Sequence, residues 1–562
     1  MPEYLSPGVY VEEVSRGSKP IEGVSTSTAG VLGQTERGPT EPELVTSFAD
    51  FERRFGGFAL YKRGKRLEST YLAYAVEGFF RNGGNRCYVG RITPDGAETA
   101  GATLADDTDV LSVNAIGPGT WGSNVAVIVE DAALYREGDN ELFKVTLRYW
   151  TDDEDAAAAQ SHDADIDREE VPNPDVEEIY DNLSPDESSS DFYETRINGV
   201  SNLLAVEREG PGRPATDETT WLSSGNTGDT GSNSDNDENT GNADNDDGET
   251  TDDEDEDDSE PVSDGGQPSV TLSDYRGDAT APAEERTGLA AFEALADVSV
   301  VYAPDENSID GLTAELVDHC ENMGDRFAVL QADRNAGSVS ALEPRIDSTR
   351  LDSSYAAFYY PWIKVVDPET NDPKLVPPSG HVAGIYARND TERGVHKAPA
   401  NETVRGAREL QLNVTKREQA VLNPKGVNCI RSLRGRGIRV WGARTTSSDP
   451  LWKYLNVRRL FLYLRSSIEE STQWVVFEPN DERLWARVRQ TVSNFLTTQW
   501  ENGALMGTTR EEAFFVRCDR STMTQDDIDN GRLIVEIGVA PVKPAEFVIF
   551  RIAQWTGGAE GS

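Results

Sequence analysis

The chain has 562 residues, 37% hydrophobic and 8% aromatic, which is enough apolar material for several cores in two to four domains. Its formal net charge is −47, from 53 basic and 100 acidic residues, and that balance argues against nucleic acid or an anionic membrane surface as partner.

Residues 1–20 read as an extended arm. Pro2, Pro7 and Pro20 exclude a helix, while Val9 and Val11 alternate with Tyr10 and Glu12 at strand period. The opening MPEYLSPGVYVEEV has no charged stretch followed by an apolar run, and no segment approaches the roughly 18 apolar residues of a membrane span. Cytoplasmic synthesis and assembly, without direct membrane insertion, is the expectation. Residues 21–95 form a mixed α/β unit: Ser69 precedes a helix with Leu72, Ala75, Val76, Phe79 and Phe80 on one face, Asn82-Gly83-Gly84 stops it, and Cys87–Ile92 follows as a strand. Residues 96–225 are strand-rich, with Val125–Val129 and Phe143–Tyr149 the clearest strands.

Residues 226–268 form an acidic loop. Between Asn226 and Glu260 lie 16 acidic side chains, no basic ones, and Ala243 as the only apolar residue, a composition that cannot build a core and predicts a disordered segment. Asp235, Asp237 and Asn239 alternate as in a calcium loop, but Thr240 replaces the required glycine and Asp246 the closing glutamate.

Residues 269–430 read as an α/β domain. Thr287–Ala296 is helical, Val298–Ala303 a β-branched strand, Leu312, Leu316 and Val317 mark a helix, and Phe327–Leu330 is a second strand, an order that implies a parallel sheet covered by helices. Residues 431–562 read as an α+β domain. Asp449-Pro450 opens a helix through Trp452, Leu455 and Leu462, Trp474–Phe477 is a strand, and a helix over Asp481–Trp500 puts Leu484, Trp485, Val488, Val492, Phe495 and Leu496 on one arc. Leu533–Val539 and Phe547–Ile552 close the chain as strands. The fold class is thus a multidomain mixture of α+β and α/β units with extended arms at both ends.

Catalytic motifs are scarce, and neither an enzyme nor a cofactor is expected. His162, His319, His381 and His396 form no metal-binding spacing. His319-Cys320 are sequence neighbours whose side chains diverge on a helix, and a satisfied helix residue is the simpler reading than a dyad. Gly57–Lys65 has too many residues between its glycines for a phosphate loop, and Arg66 stands where that loop needs Ser or Thr. Gly435-x-Gly437 lacks the third glycine of a dinucleotide site. Cys87, Cys320, Cys429 and Cys518 are far apart and read as buried, reduced thiols of an intracellular protein.

Charge is split along the chain: residues 401–562 hold 23 Lys+Arg and 19 Asp+Glu, whereas the first 400 carry 30 and 81. Only 11 of the 53 basic residues are lysines, and removing Asn226–Glu260 still leaves −31, a balance that suits a protein working in dense salt. The termini are the other informative feature. Two apolar, β-prone end segments suit donation to a neighbour's sheet edge, and they suit pairing within their own chain equally well.

The opening Y-L-S-P-G-V-Y-V-E-E-V at Tyr4–Val14, then I-E-G-V-S-T-S-T-A-G, R-G-P at 37–39, L-V-T-S-F-A-D-F-E-R-R-F-G at 44–56 and F-F-R-N-G-G-N-R-C-Y-V at 79–89 resemble the start of contractile tail sheath proteins. The later blocks match more strongly: V-P-P-S-G-H-V-A-G-I-Y-A-R-N-D from Val376, H-K-A-P-A-N-E from His396, L-N-P-K-G-V-N from Leu422, G-R-G-I-R-V-W-G-A-R-T ending at Thr445, W-K-Y-L-N-V-R-R-L-F, and S-I-E-E-S-T-Q-W-V-V-F-E-P-N. They are co-linear and cover the first 90 residues and everything after 270. Residues 96–225 match loosely, and the acidic loop has no counterpart.

The resemblance implies a helical homo-oligomer of stacked hexameric rings around an inner tube, capped by a terminator and seated on a baseplate, in a virion tail or injection particle. It implies a tube-side α+β core built with the C-terminal unit, and a β-rich insertion facing outward. It also implies that the arms, through Tyr4, Val9 and Val11 at one end and Phe547, Ile549 and Ile552 at the other, join neighbouring subunits. The extended state would be a metastable spring whose energy is stored at assembly, so no nucleotide is needed. Arg483 and Arg487, at i and i+4 beside the apolar arc of their helix, are candidate contacts to an acidic inner tube; an ordinary solvated helix face explains them equally well. A different self-assembling shell, such as a surface-layer or capsid-like protein, would account for acidity and size but not for these motifs.

Overall fold

The computed structural model describes residues 20–58, 60–62, 65–67, 70–106, 108–136, 141–162, 166, 171–224, 270–336, 342–344 and 351–551. The acidic loop with its calcium-like spacing, Ser69, the arm residues Tyr4, Val9 and Val11, and Ile552 lie outside them.

The chain enters a sheet through β1 (Ala29–Gly33) and β2 (Glu43–Val45), followed by α1 (Phe48–Phe55), α2 (Leu72–Arg81) and β3 (Cys87–Arg91). Helix α2 stops where the Asn82-Gly83-Gly84 signal predicts, with the Asn82 amide turned back to the Gly78 carbonyl at 2.9 Å. The chain then leaves for an insertion of two antiparallel sheets. Its strands are β4 (Gly101–Asp106), β5 (Thr108–Ala115), β6 (Val125–Asp131), β7 (Phe143–Tyr149), β8 (Val176–Leu183), β9 (Leu204–Arg208) and β10 (Glu218–Trp221). The orders are β8-β7-β6-β10 and β9-β5-β4, closed over a core that includes Val113, Trp121, Val127, Leu147 and Leu204. Two short helices, Asp153–Gln160 and Tyr193–Ile197, sit among these strands. The insertion is tied to the first sheet by polar contacts: Tyr149 Oη donates to Glu36 at 2.9 Å, and Arg54 donates to the Ser201 carbonyl at 2.8 Å.

The chain returns through β11 (Val300–Tyr302), α3 (Leu312–Met323), β12 (Phe327–Gln331), β13 (Ala356–Tyr360), α4 (Ser379–Arg393), β14 (Glu402–Thr403), β15 (Val427–Leu433) and β16 (Gly437–Val440). These strands join the first three in one nine-stranded sheet, β14-β16-β15-β13-β12-β11-β1-β3-β2, so residues before and after the insertion build a single layer. The six central strands are parallel and the outer ones antiparallel. A division at 430/431 runs through β15. Parallel strands must be covered on both faces, and the alternation shows it. Val31, Tyr302, Phe327 and Val329 point into a core shared with α2 and α4, whereas Leu32, Val301, Ala328 and Leu330 point into a second core under α3. Helices α2 and α4 touch backbone to backbone: a Cβ on Gly380 or Gly384 would collide with the carbonyls of Ala75 and Phe79. This contact explains two glycines in the S-G-H-V-A-G block.

The last unit comprises α5 (Leu455–Ser471), α6 (Glu482–Glu501), β17 (Phe514–Arg517) and β18 (Glu536–Val539). Asp481 caps α6, accepting from the amides of Arg483 and Leu484, and all six residues of its apolar arc are buried against Leu460 and Leu464 of α5. Several elements differ from the sequence reading. Asp449 caps only a turn, and α5 starts at Leu455, because Thr445 and Ala443 hold residues 453–455 in extended hydrogen bonds. Trp474–Phe477 is not a strand: Gln473–Val475 is a single 3-10 turn between α5 and α6, and among the described residues it joins no sheet. The helix at Thr287–Ala296 contracts to Gly288–Phe292, and the penultimate strand to Glu536–Val539. Residues 547–551 carry no strand pairing.

Candidate assembly surface

The two-stranded β17–β18 sheet is incomplete in physical terms. Phe514 pairs with Val539 and Arg517 with Glu536, and among the described residues each strand has no second partner. Phe514 anchors the inner face in the α5–α6 core, while Phe515 on the outer face is 47% exposed. Two strands with open edges are marginal on their own and offer a row of free backbone donors and acceptors.

The C-terminal segment follows directly. Val542 N–H donates to the Ala504 carbonyl at 3.2 Å, and Asn456 Nδ2 donates to the Val542 carbonyl at 3.2 Å. Four donor contacts then converge on Glu546: Arg444 Nε and Nη2 at 2.8 and 2.7 Å, Asn423 Nδ2 at 2.7 Å and Tyr454 Oη at 3.3 Å. Burial works against this carboxylate, yet the bonds from Arg444 and Asn423 outweigh it and hold Glu546 below the usual carboxylate range. Arg444 is in turn fixed to the large sheet, its amide donating to Asn428 Oδ1 on β15 at 2.7 Å. Immediately past the clamp, Phe547, Val548, Ile549 and Phe550 are 68–84% exposed, an apolar run left uncovered by the described residues.

The N-terminal side mirrors this. Residues 20–28 lie as a strap along α5 before entering β1. Glu22 and Val24 amides donate to Ser471 Oγ and Ser467 Oγ at 3.2 and 3.1 Å. Arg459, almost fully buried, donates to the Thr26 carbonyl and forms an ion pair with Asp390, both at 2.8 Å. The neighbouring Arg458 is sandwiched between Trp452 and Tyr355, so this arginine pair is structural.

Arg483 and Arg487 are both exposed on α6, and the Arg487 guanidinium lies 4.2 Å from the Trp474 ring centroid. Beside them Val476 and Phe477 are exposed, and Phe477 is held at φ +68°, a left-handed conformation rare for a bulky residue. Sequence reasoning missed this apolar tip because V-V-F has strand composition. It also missed Glu546, Arg444 and Asn423, which lie more than 100 residues apart except for the local pair and carry no spacing signal.

Among the described residues no group of three or more His, Cys, Asp or Glu could hold a metal, and no helix is long and apolar enough to cross a membrane. His319 packs against Arg326 at 3.3 Å, and burial with that guanidinium pushes its pKa down to about 4. Cys320 faces the core under α3, where burial pushes the thiol up to about 12. His319 thus meets Arg326 while its neighbour Cys320 faces the core. All four cysteines are free and buried.

Comparison with known proteins agrees with this picture. Residues 277–446 match the phage tail sheath protein central domain and residues 447–554 the phage tail sheath C-terminal domain. The tail sheath protein of Burkholderia phage BcepMu is 25% identical over 295 residues, 49% of this chain and 60% of the relative; that of Vibrio phage KVP40 is 24% identical over 207 residues, 36% of this chain and 30% of the relative. The chain thus spans less than two thirds of these relatives' own length. The fold is that of the PVC sheath complex of an extracellular contractile injection system in its contracted state (TM-score 0.53, 20% identity, 99% of both chains). It is shared by a sheath tail protein of Listeria innocua (TM-score 0.53, 12% identity, 93% of this chain and 97% of that one). Residues 277–554 thus match the central and C-terminal domains of the phage tail sheath family, and the fold along nearly the whole chain is that of sheath proteins.

Proposed function

We propose that the chain is the structural subunit of a contractile sheath, which polymerises as stacked hexameric rings around an inner tube and contracts to drive that tube through a target envelope. The observation that carries the reading is the pairing of an incomplete sheet with an unused strand: β17–β18 has open edges, and Phe547–Phe550 is an exposed β-prone run on a fixed anchor. The run from one subunit extends the β17–β18 sheet of a neighbour, and residues Tyr4–Val14 supply the second added strand. Backbone hydrogen bonds then hold a mesh while rigid bodies rotate past one another.

Within this reading the α+β unit faces the tube, with Arg483 and Arg487 meeting acidic tube residues, and the β-rich insertion faces outward. Exposed ion pairs of about 0–1 kcal/mol each are weak enough to register the sheath and yet release it. Partners are other copies of the chain, the tube protein, a baseplate and a terminal cap, in a virion tail or injection particle assembled in the cytoplasm. The arginine-rich, strongly acidic composition supports a salt-adapted, haloarchaeal source.

The test is electron microscopy of the purified protein in molar salt, alone and with its tube protein. Hollow helical tubes are expected. Monodisperse particles in every preparation would overturn the proposal in favour of a different shell protein.

A further inference from the structure

One face of α5 is given over to the two chain ends. Asn456, Arg459, Tyr463, Ser467 and Ser471 fall at i, i+3, i+7, i+11 and i+15, a single stripe along the helix. At the first turn Asn456 holds the Val542 carbonyl, and Tyr454 just before it reaches Glu546. Further along, Arg459 holds the Thr26 carbonyl, Tyr463 packs so close to Gly23 that a Cβ there would strike its hydroxyl, and Ser467 and Ser471 accept from Val24 and Glu22. The C-terminal segment therefore departs from the N-terminal end of α5, and the N-terminal strap leaves at its C-terminal end. At 1.5 Å per residue those exits are about 25 Å apart.

We propose that α5 is a tie bar: within each subunit it joins the mooring of the C-terminal arm to the mooring of the N-terminal arm, so that load passed between neighbouring copies of this chain runs along one helix. The inference rests on the reading that both arms bind neighbours. Its own content is that Glu546 and the Gly23–Tyr463 contact are positioning elements for assembly. A hydrogen-bonded helix suits that task, because its backbone bonds lie along its axis and its burial against α6 keeps it from bending. The marginal β17–β18 sheet need only receive strands, and the load bypasses it. At the C-terminal mooring, bidentate charge-assisted bonds to one carboxylate resist displacement in a way that a neutral amide at the same place would not.

The experiment compares contracted tubes of the wild type and four variants in dilute guanidinium, following dissociation by light scattering, alongside the melting temperature of each unassembled subunit. The variants are Glu546→Gln for one mooring, Gly23→Val for the other, Glu43→Gln as a control, and removal of 547–562. Glu43 forms an equally bidentate pair with Arg54, away from both arms. The tie bar predicts tube lifetimes at least about tenfold shorter for Glu546→Gln and Gly23→Val, because the first weakens a charged anchor and the second forces the strap away from Tyr463, with subunit melting no lower than that of Glu43→Gln. Lifetimes equal to wild type in both mooring variants, while removal of 547–562 abolishes tubes, would overturn the tie bar and leave the arm reading intact. Tubes that survive the removal would overturn the arm reading and the tie bar together. If Glu546→Gln yields no folded subunit, Tyr454→Phe, which deletes one bond to the same carboxylate, carries the test with an expected loss of about threefold.

Discussion

The nine-stranded sheet and the β17–β18 pair are both sheets, yet they stand at opposite ends of self-sufficiency. In the large sheet β1, β12 and β13 are buried along their whole length, each strand pairs on both sides except at the ends, and helices cover both faces. In the small one the outer face carries an exposed Phe515, and among the described residues each strand pairs once and four apolar residues further along find no cover. The first is completed by its own chain. On the proposed function, other copies of the chain complete the second.

That contrast can be attacked from both sides. Phe327→Ala, on a fully buried central strand, is expected to cost about 3–5 kcal/mol of subunit stability, read by chemical denaturation. A loss below about 1 kcal/mol would mean the large sheet is not the subunit's core. Asp390→Asn leaves buried Arg459 without its charge partner and is expected to cost about 2–3 kcal/mol; an effect confined to tubes would move this pair from the core to the interface.

Asp305 supplies a pH test of the same core. It follows β11, accepts one backbone bond from Tyr71, and its other oxygen is buried with no partner among the described residues. Burial raises its pKa to about 7 against an ordinary 3.8, so the folded protein holds a proton that the unfolded chain has released. Its contribution to stability is present in full below about pH 4 and is lost as pH rises towards 7. Asp305→Asn should therefore gain on wild type across that window, by up to about 4 kcal/mol, and keep that lead unchanged above pH 7. Parallel stability–pH curves for the two proteins would contradict this. The smallest subunit effect belongs to the small sheet. Phe515→Ser should change subunit stability by no more than about 0.5 kcal/mol and still block tube growth; normal tubes would show that this face is left bare in the assembly.

The same contrast explains what could be read from sequence. Buried elements announced themselves: the apolar arc of α6 and the strand Phe143–Tyr149 stand where periodicity puts them, because their own chain covers them. Errors gather where local composition and tertiary demand part company. The V-V-F run before Glu478 has strand composition but serves as an exposed tip between two helices. Pro450 resembles a helix start, but hydrogen bonds from a distant strand end hold the chain extended until Leu455. Phe547–Phe550 has strand character that no partner among the described residues satisfies. The clamp of Arg444, Asn423 and Tyr454 on Glu546 was invisible, since no spacing in the sequence brings those residues together. Arg483 and Arg487 were found by spacing alone, and the structure adds only that both are exposed and that Arg487 rests on Trp474.

The most direct test of the account is amide hydrogen exchange on the unassembled subunit and on assembled tubes of the same preparation. Residues 547–551 and the outer edges of Phe514–Arg517 and Glu536–Val539 should exchange freely in the subunit and become protected in tubes, while β12 and β13 stay protected in both. Tubes in which 547–551 exchange as fast as in the subunit would contradict the claim that neighbouring chains complete the small sheet.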